Sequence, residues 1–207
     1  MNFRRLIQRG LILWMMSFFL AMPVKVIASE NDITILKKLI EEFSYGQMTS
    51  IQATSLAKVV YFESRKRKID PLLVLAVIHE ESSFRVRAVS PAGAIVLMQI
   101  MPDTGREIAS NLNYRSHQRR DLFDPTRNIR IGVWYLRWLK KKFNHNQILF
   151  LTAYNMGLGR LIELQKEMPD SKLRFTYARS VLATYREVKE RYRNLKQLYA
   201  HNRKLQF

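Results

Sequence analysis

Residues 70–84 read DPLLVLAVIHEESSF and combine a helix start, an apolar run and a pair of carboxylates. The Asp70 carboxylate can cap free backbone N–H groups, and Pro71 suits the first helical position because it has no N–H to leave unpaired. The apolar run from Leu72 to Ile78 covers every face of a helix with 3.6 residues per turn. The pattern therefore predicts a helix of about four turns whose first half is surrounded by protein.

Glu81 is a candidate general acid at the end of this helix. It lies one turn after Val77 and Ile78 and one turn before Phe84, so we expect apolar neighbours around its carboxyl. Poor hydration disfavours the ionised form and raises a carboxyl pKa, which a proton donor needs at neutral pH. Taken by itself, the stretch is also typical of a solvent-facing acid at a helix end.

Motifs after Glu81 agree in order and spacing with those of a known family. The chain has ESSF at 81–84, AVS at 88–90, GAIVLMQIMP at 93–102 and then Thr104. This succession resembles the signature of lytic transglycosylases of the soluble (SLT) type: Glu-Ser-x-Phe, Ala-x-Ser, Gly-Ala-x-Gly-Leu-Met-Gln-Ile-Met-Pro and a Thr. AYNMG at 153–157 resembles the family's Ala-Tyr-Asn-x-Gly. The resemblance covers most of the chain.

The resemblance implies a fold, a reaction and a catalytic residue. The fold would be mainly α, a lysozyme-like helical domain of the goose type with a buried central helix. The reaction would cleave the glycan strand of peptidoglycan between N-acetylmuramic acid and N-acetylglucosamine. Glu81 would act first as an acid and then as a base, and a 1,6-anhydromuramyl end would form. The reaction would need no cofactor and no metal ion.

The resemblance also implies residues that bind the glycan. Gln99 is an amide among apolar neighbours and needs hydrogen-bond partners, which a sugar supplies. The two methionines nearby would also suit a protein core. Tyr177 rests on a looser match to the family's Tyr-Val-x-x-Val element. The residues expected to contact substrate are Ser82, Ser90, Met98, Gln99, Met101, Tyr154, Asn155 and Tyr177.

Val96 departs from the family pattern, which has Gly at this position. If the position needs a positive φ, a β-branched residue is strongly disfavoured there. We then expect the loop to take another path and the activity to be altered.

Two further positions leave alternatives open. Trp134 and Trp138 form an i, i+4 pair that fits either packing or a sugar-stacking platform. Glu80 adjoins Glu81, but successive residues on a helix point about 100° apart and do not share a face. We expect Glu80 to be a solvated or hydrogen-bonded side chain. If Glu80 instead served as a second catalytic carboxylate, the protein would be a hydrolytic muramidase.

The N-terminal segment has the features of a secretory signal. Three arginines and no acid stand among the first nine residues, and an apolar run follows at 10–24. The pattern predicts a signal peptide at 1–28, cleaved after Ala28, and an exported domain at 29–207 that works in the periplasm or cell envelope. An uncleaved membrane anchor is the alternative, although about 15 apolar residues are few for a span of about 30 Å.

The charge of the chain predicts an anionic partner. The formal net charge is +18, and removing residues 1–28 takes away four basic and no acidic side chains, which leaves +14. Such a surface attracts polyanions, and peptidoglycan with its associated anionic polymers fits both the charge and the signal segment. Nucleic acid fits only the charge. The absence of cysteine excludes disulfides, thiolate metal sites and lipid attachment through cysteine.

The remaining pattern predicts further helices around the central one. Apolar stripes predict helices at 32–44, 54–67 and 128–143, capping-box spacing at Thr104 predicts a short helix, and another short helix is expected at 160–167. Residues 111–124 are expected to form a surface loop. From residue 180 onward, an amphipathic helix with a basic outer face is predicted to close the core.

Three rival functions are a hydrolytic muramidase, a wall-binding or assembly protein, and a nucleic-acid binder, which only the charge favours. A hydrolytic muramidase would give reducing ends, and a wall-binding or assembly protein could keep the fold without activity. A role at a secretion or motility apparatus would also imply an assembly partner in the cell envelope. We expect no nucleic-acid partner, and membrane contact only through the N-terminal segment if it is uncleaved.

Overall fold

The computed structural model describes residues 24–114, 118–167 and 175–204. By its contacts the chain divides into two units, residues 1–32 and 33–207. The predicted signal segment lies mostly outside the described residues, so cleavage after Ala28 stays a prediction. No helix in the described ranges has both the length and the hydropathy that crossing a bilayer requires.

The described residues are predominantly helical. Within these ranges β pairing is confined to isolated bridges of Ile95 with Val89 and with Ile100. This confirms the mainly α class. The helices are α1 Val24–Phe43, α2 Ser50–Arg67, α3 Pro71–Ser82, α4 Pro102–Asn111, a 3-10 helix Arg119–Phe123, α5 Pro125–Lys142, α6 Gln147–Met156, α7 Leu158–Glu167 and α8 Thr176–Lys204.

Helix α3 is the buried central helix that the sequence predicts. The Asp70 side chain accepts a 2.9 Å hydrogen bond from the backbone N–H of Leu72, and Pro71 occupies the first turn. Every side chain from Leu72 to Ile78 is at most 7% exposed. Burying each of the larger side chains contributes about 2 kcal/mol, so α3 is a principal anchor of the core.

Helix α8 packs along α3 in the opposite direction. The Tyr185 hydroxyl donates a 2.5 Å hydrogen bond to Asp70 at the start of α3, and the Tyr177 hydroxyl donates a 2.5 Å bond to Glu81 near its end. The first half of α8 thereby covers α3, as predicted. Its buried apolar residues are Ala178, Val181, Val188 and Leu195.

Helices α2 and α5 are joined by a buried acid. Glu63 is 8% exposed, accepts a 2.8 Å hydrogen bond from Arg130 Nε on α5, and also pairs with Arg67 on its own helix. Because a charge in a core must be paired, this contact fixes α5 against α2.

Two sequence predictions in this region are wrong. Helix α4 begins at Pro102 with Met101 as N-cap, so Thr104 lies inside the helix and caps nothing. Residues 111–124 are not wholly a surface loop, because Leu122 in the 3-10 helix is 3% exposed. Leu122 packs directly on Gly105, where the absence of a Cβ leaves room for its methyl groups.

Candidate active site

The loop between α3 and α4 folds over the C-terminal end of α3. Ser83 ends the helix in the left-handed conformation, with φ 49°, and its N–H donates a 2.9 Å hydrogen bond to the His79 carbonyl. Phe84 follows with φ 62° and is 1% exposed. The chain is thus turned back across the last turn of α3, which brings the motif at 93–102 beside Glu81.

Val96 adopts the backbone conformation that the sequence analysis associates with glycine. Its φ is 61°, and its side chain is fully buried. The Val96 N–H donates a 2.7 Å hydrogen bond to the Ala88 carbonyl, which closes the loop. The loop therefore does not avoid the positive φ, and a β-branched residue holds it at a cost of about 1–2 kcal/mol.

A pocket of about 450 Å³ opens beside the end of α3. Four segments line it: the end of α3, the loop that leads into α4, the middle of α5 and the end of α6. Six of the sequence-predicted site residues are among the lining: Glu81, Ser90, Gln99, Met101, Tyr154 and Asn155. The two motifs, which lie far apart in the chain, therefore meet at one cavity.

Glu81 is a largely desolvated carboxyl in this pocket. Burial raises its pKa from the ordinary 4.5 to about 7, the Tyr177 hydrogen bond opposes the rise, and the nearby Glu80 charge adds to it. A pKa of about 7 leaves the carboxyl able both to give and to take a proton near neutral pH. The burial agrees with the expectation of a poorly hydrated carboxyl at Glu81.

Tyr177 faces Glu81 from the first turn of α8. Its hydroxyl donates a 2.5 Å hydrogen bond to Glu81 Oε1. Burial and the adjacent carboxylate hold the pKa of Tyr177 well above its ordinary value, so the phenol stays protonated and acts as a donor. Tyr177 thus touches the carboxyl rather than the open part of the pocket.

Tyr154 lines the pocket and also makes a structural hydrogen bond. Its hydroxyl donates to the Met98 carbonyl at 2.9 Å, and the residue is 8% exposed. Burial raises the pKa of Tyr154 well above its ordinary value. The hydroxyl is therefore committed to the loop, and the part of Tyr154 that a ligand could touch is the ring.

Ser90 and Gln99 present polar groups from the loop. Ser90 Oγ accepts a 3.0 Å hydrogen bond from the Ala94 N–H, so its own hydrogen remains to be donated to a ligand. The Gln99 amide nitrogen donates to the carbonyls of Val96 at 2.8 Å and Ala88 at 3.3 Å. Gln99 therefore offers its side-chain oxygen, an acceptor, to the pocket.

Met101 and Asn155 lie at the rim of the pocket. Met101 is 42% exposed although it is a large apolar side chain, and it stands at the start of α4. Asn155 is exposed near the end of α6, where Gly157 ends the helix with φ 87°. An exposed thioether and an exposed amide are suited to the apolar faces and hydroxyl groups of a sugar.

Ser82 and Met98 lie in the core rather than in the pocket, which corrects the expectation that they contact substrate. Ser82 is 1% exposed, and its hydroxyl lies 3.0 Å from the Leu97 carbonyl and 3.1 Å from the Ile78 carbonyl. Met98 is fully buried and packs on Gly132 of α5. Both residues hold the loop against the helices.

Tyr135 is a pocket residue that the sequence analysis missed. It lines the cavity from α5, and its ring centroid lies 5.5 Å from that of Tyr154. Trp138, 39% exposed, stacks on Tyr135 with centroids 6.1 Å apart, whereas Trp134 packs against the core. The sequence holds one signal for Tyr135, its position one turn after Gly132. Met98 of the loop packs on Gly132, so this part of α5 faces the loop.

Glu80 does not line the pocket. Its carboxylate accepts hydrogen bonds from Ser180 at 2.5 Å and Thr184 at 2.6 Å on α8. It is therefore the hydrogen-bonded side chain that the sequence predicts. Among the described residues that line the pocket, Glu81 is the one acid. The described ranges hold no cluster of three or more His, Cys, Asp or Glu side chains arranged for a metal ion.

A helical domain built around a buried helix, with a carboxyl at the end of that helix facing a pocket, defines a lysozyme-like domain. The chain belongs to the transglycosylase SLT domain family, whose model matches residues 58–174. This confirms the family that the motifs indicate.

Relatives and solved structures agree with this assignment. The chain is 34% identical over 124 residues to membrane-bound lytic murein transglycosylase C of Mannheimia succiniciproducens, which covers 56% of this chain and 35% of the relative. The crystal structure of the 70 kDa soluble lytic transglycosylase of Escherichia coli matches with TM-score 0.58 and 25% identity, over 78% of this chain and 30% of that one.

A further solved structure is an inactive Glu-to-Gln mutant of the lytic transglycosylase Slt from Pseudomonas aeruginosa. It matches with TM-score 0.50 and 28% identity, over 67% of this chain and 22% of that one. The chain thus spans about a third or less of the length of these relatives.

Proposed function

We propose that the chain is a lytic transglycosylase that cleaves peptidoglycan between N-acetylmuramic acid and N-acetylglucosamine. The family of the chain and the printed names of its relatives, lytic murein transglycosylases, support this substrate class. The observation that carries the proposal is a single, largely buried carboxyl, Glu81, with a pKa of about 7 in a pocket with no second acid in its described lining.

The proposed chemistry uses Glu81 twice. The protonated carboxyl gives its proton to the glycosidic oxygen as the bond from that oxygen to the anomeric carbon of the muramyl residue breaks. The resulting carboxylate then takes the proton of the muramyl 6-hydroxyl, whose oxygen bonds to the same anomeric carbon. Glu81 returns to its protonated form, no water is consumed, and the product ends in a 1,6-anhydromuramyl residue.

The other pocket residues have separate parts in this proposal. The Tyr177 hydroxyl stabilises the Glu81 carboxylate that forms after the first proton transfer, because it donates to Oε1. The free hydrogen of Ser90 and the side-chain oxygen of Gln99 bind sugar hydroxyl or amide groups. The Tyr154 ring and the exposed Met101 side chain support the apolar face of a sugar.

Digestion of purified sacculi by the full chain tests the proposal. We expect soluble muropeptides with anhydromuramyl ends by mass spectrometry, and a loss of about 10³-fold or more in rate for Glu81→Gln. The matched control is Glu163→Gln, an exposed glutamate paired with Arg160 on α7, which should digest at the wild-type rate. Equal digestion by wild type and Glu81→Gln would exclude a catalytic role for Glu81.

The same digest separates the two alternative functions. A muramidase adds water, so its products are heavier by one water than anhydro ends. The position of Glu80, bonded to α8 and away from the pocket, disfavours this alternative. A wall-binding protein without activity would bind sacculi and release no muropeptides.

We also propose that the domain spans residues 29–207 and works in the periplasm or cell envelope. The relatives' names, membrane-bound and soluble lytic murein transglycosylase, support this location because murein is a material of the cell envelope. Edman sequencing of the exported chain tests the boundary: a first residue of Ser29 supports cleavage after Ala28, and an intact Met1 contradicts it. An assembly partner in the envelope stays a prediction.

A further inference from the structure

Glu80 joins α3 to α8 next to the candidate acid. Its Oε2 accepts a 2.5 Å hydrogen bond from Ser180, and its Oε1 accepts a 2.6 Å bond from Thr184. The Glu80 side chain is 19% exposed, and His79 Nδ1 lies 3.4 Å from Oε1. A carboxylate with partners on both oxygens is held in one orientation, and it holds those partners in turn.

The two hydroxyls share a helix face with the residue that contacts Glu81. Tyr177, Ser180 and Thr184 stand at i, i+3 and i+7, so all three project toward the end of α3. Successive carboxylates of α3 therefore meet successive turns of α8: Glu81 meets Tyr177, and Glu80 meets the pair one and two turns on. The side of α8 that carries the Tyr177 hydroxyl is fixed by Glu80.

We propose that Glu80 is a positioning residue, whose carboxylate anchors Ser180 and Thr184 so that the Tyr177 hydroxyl stays on Glu81. This inference rests on the proposed function of Glu81. Glu80 itself touches neither the pocket nor a reacting atom. Its hydrogen bonds act through α8 and reach the Glu81 carboxyl by way of the Tyr177 hydroxyl.

Glu80 has a second, opposite effect through its charge. Burial alone would raise the pKa of Glu80, but the hydrogen bonds from Ser180, Thr184 and His79 hold it below the ordinary value, so Glu80 is ionised at neutral pH. That charge favours the protonated form of Glu81, whereas the Tyr177 hydrogen bond favours the ionised form. Among the described residues, Tyr154 on α6 is a further ionisable group that interacts with Glu81, and burial raises its pKa so that it stays neutral.

Because these two effects change the Glu81 pKa in opposite directions, variants can separate the hydrogen bonds of Glu80 from its charge. Ser180→Ala/Thr184→Val removes the anchor and keeps the charge, so Tyr177 should leave Glu81 and the Glu81 pKa should rise. Glu80→Gln removes the charge, yet its amide can still accept from one hydroxyl and donate to the other. In that variant the Glu81 pKa should fall, because the charge that favours its protonated form is gone.

The measurement is the titration of Glu81 in the full chain labelled with ¹³C at glutamate carboxyl carbons, together with the pH profile of sacculus digestion. We expect the Ser180→Ala/Thr184→Val variant to lose about 10- to 100-fold in kcat, with a smaller change in KM. The matched control is Thr54→Val/Ser110→Ala, whose hydroxyls bond carbonyls of their own helices. The control should leave both readouts unchanged.

A double-mutant cycle with Tyr177→Phe tests whether Glu80 acts on Glu81 through Tyr177. If Glu80 acts through Tyr177, adding Ser180→Ala/Thr184→Val to Tyr177→Phe shifts the Glu81 pKa no further. Additive shifts, or an unshifted Glu81 in Ser180→Ala/Thr184→Val alone, overturn the inference. If the wild-type chain releases no muropeptides, the proposed function is wrong. The Glu81 titration then still tests whether Glu80 holds Tyr177 in place.

Discussion

The side-chain oxygen of Asn128 accepts a 2.9 Å hydrogen bond from the backbone N–H of Met98. The amide nitrogen of Asn128 donates a 2.8 Å bond to the Ile95 carbonyl, and the residue is fully buried. These two backbone groups flank Val96 and Leu97, and Val96 has a φ of 61°. One side chain from the first turn of α5 thus closes the turn that brings Gln99 to the pocket.

We expect Asn128→Ala to destabilise the fold by about 1–3 kcal/mol, because it leaves the buried Met98 N–H without its acceptor. The Ile95 carbonyl loses one of its two donors and keeps the bond from the Ile100 N–H. Urea denaturation followed by circular dichroism measures this loss. Asn111→Ala is the matched control, since its amide donates to the Glu107 carbonyl on an exposed helix. A loss no larger at position 128 than at position 111 would refute the bridging role.

The conformation of Val96 predicts an unusual order of stabilities. Val96→Ala and Val96→Gly both remove the buried isopropyl group, but only glycine also removes the Cβ that makes φ 61° costly. The glycine variant should be more stable than the alanine variant by up to about 1 kcal/mol. At Val89, exposed and without a positive φ, the same pair should show the ordinary order, with alanine the more stable. The same order at both positions would count against strain at Val96.

Much of the central helix follows from the sequence. Asp70 and Pro71 fix where α3 begins, and the apolar run to Ile78 requires protein on every side. Glu81 follows from the register of the motifs. These are local features, and local backbone and hydrophobic preferences decide them.

Other features depend on contacts between distant segments. Nothing local distinguishes the buried Met98 from the exposed Met101, because the difference is set by Gly132 on α5, which leaves room for one of them. Asn128 and Tyr135 likewise matter only because the loop and α6 come to rest on α5. Their roles need the assembled helices.

The contact between Gly132 and Met98 leads to a stability prediction. A Cβ at Gly132 would lie 2.9 Å from the Met98 Cβ, so Gly132→Ala should cost about 1–3 kcal/mol despite the better helix propensity of alanine. Gly159 in α7 has nothing within 4 Å of such a Cβ. Gly159→Ala should therefore gain up to about 1 kcal/mol, and thermal melts of both variants compare the two sites. A neutral Gly132→Ala would contradict the close packing.

The Glu81 pKa predicts a one-sided pH profile. The first step needs the protonated carboxyl, so digestion of sacculi should fall above a midpoint of about 7. No second acid lines the described pocket, so the rate should stay level from about pH 6 down to about pH 5. Initial rates measured across this range in buffers of constant ionic strength check the profile. A bell-shaped curve with an acid limb near pH 4 to 5 would instead indicate two catalytic carboxylates.

The same pKa predicts how stability depends on pH. Because the folded pKa, about 7, lies above the ordinary 4.5, the unfolded chain releases this proton first, and the fold loses stability as pH rises from about 4.5 to about 7. Glu81→Gln removes this loss, so the variant should exceed wild type by up to about 3 kcal/mol at pH 8 and by little at pH 4. Urea denaturation at both pH values measures the difference, with Glu163→Gln as the exposed control. A gain of the same size at both pH values would contradict burial of an ionisable carboxyl.

Glu81 and the tyrosine that faces it are separated by 96 residues of chain. A nascent chain that has left the ribosome only as far as α7 holds the acid, the loop and Tyr154, yet lacks the phenol that completes the proton-handling pair. The pair on which the proposed chemistry depends is therefore complete only when α8, the last helix to be made, packs against α3.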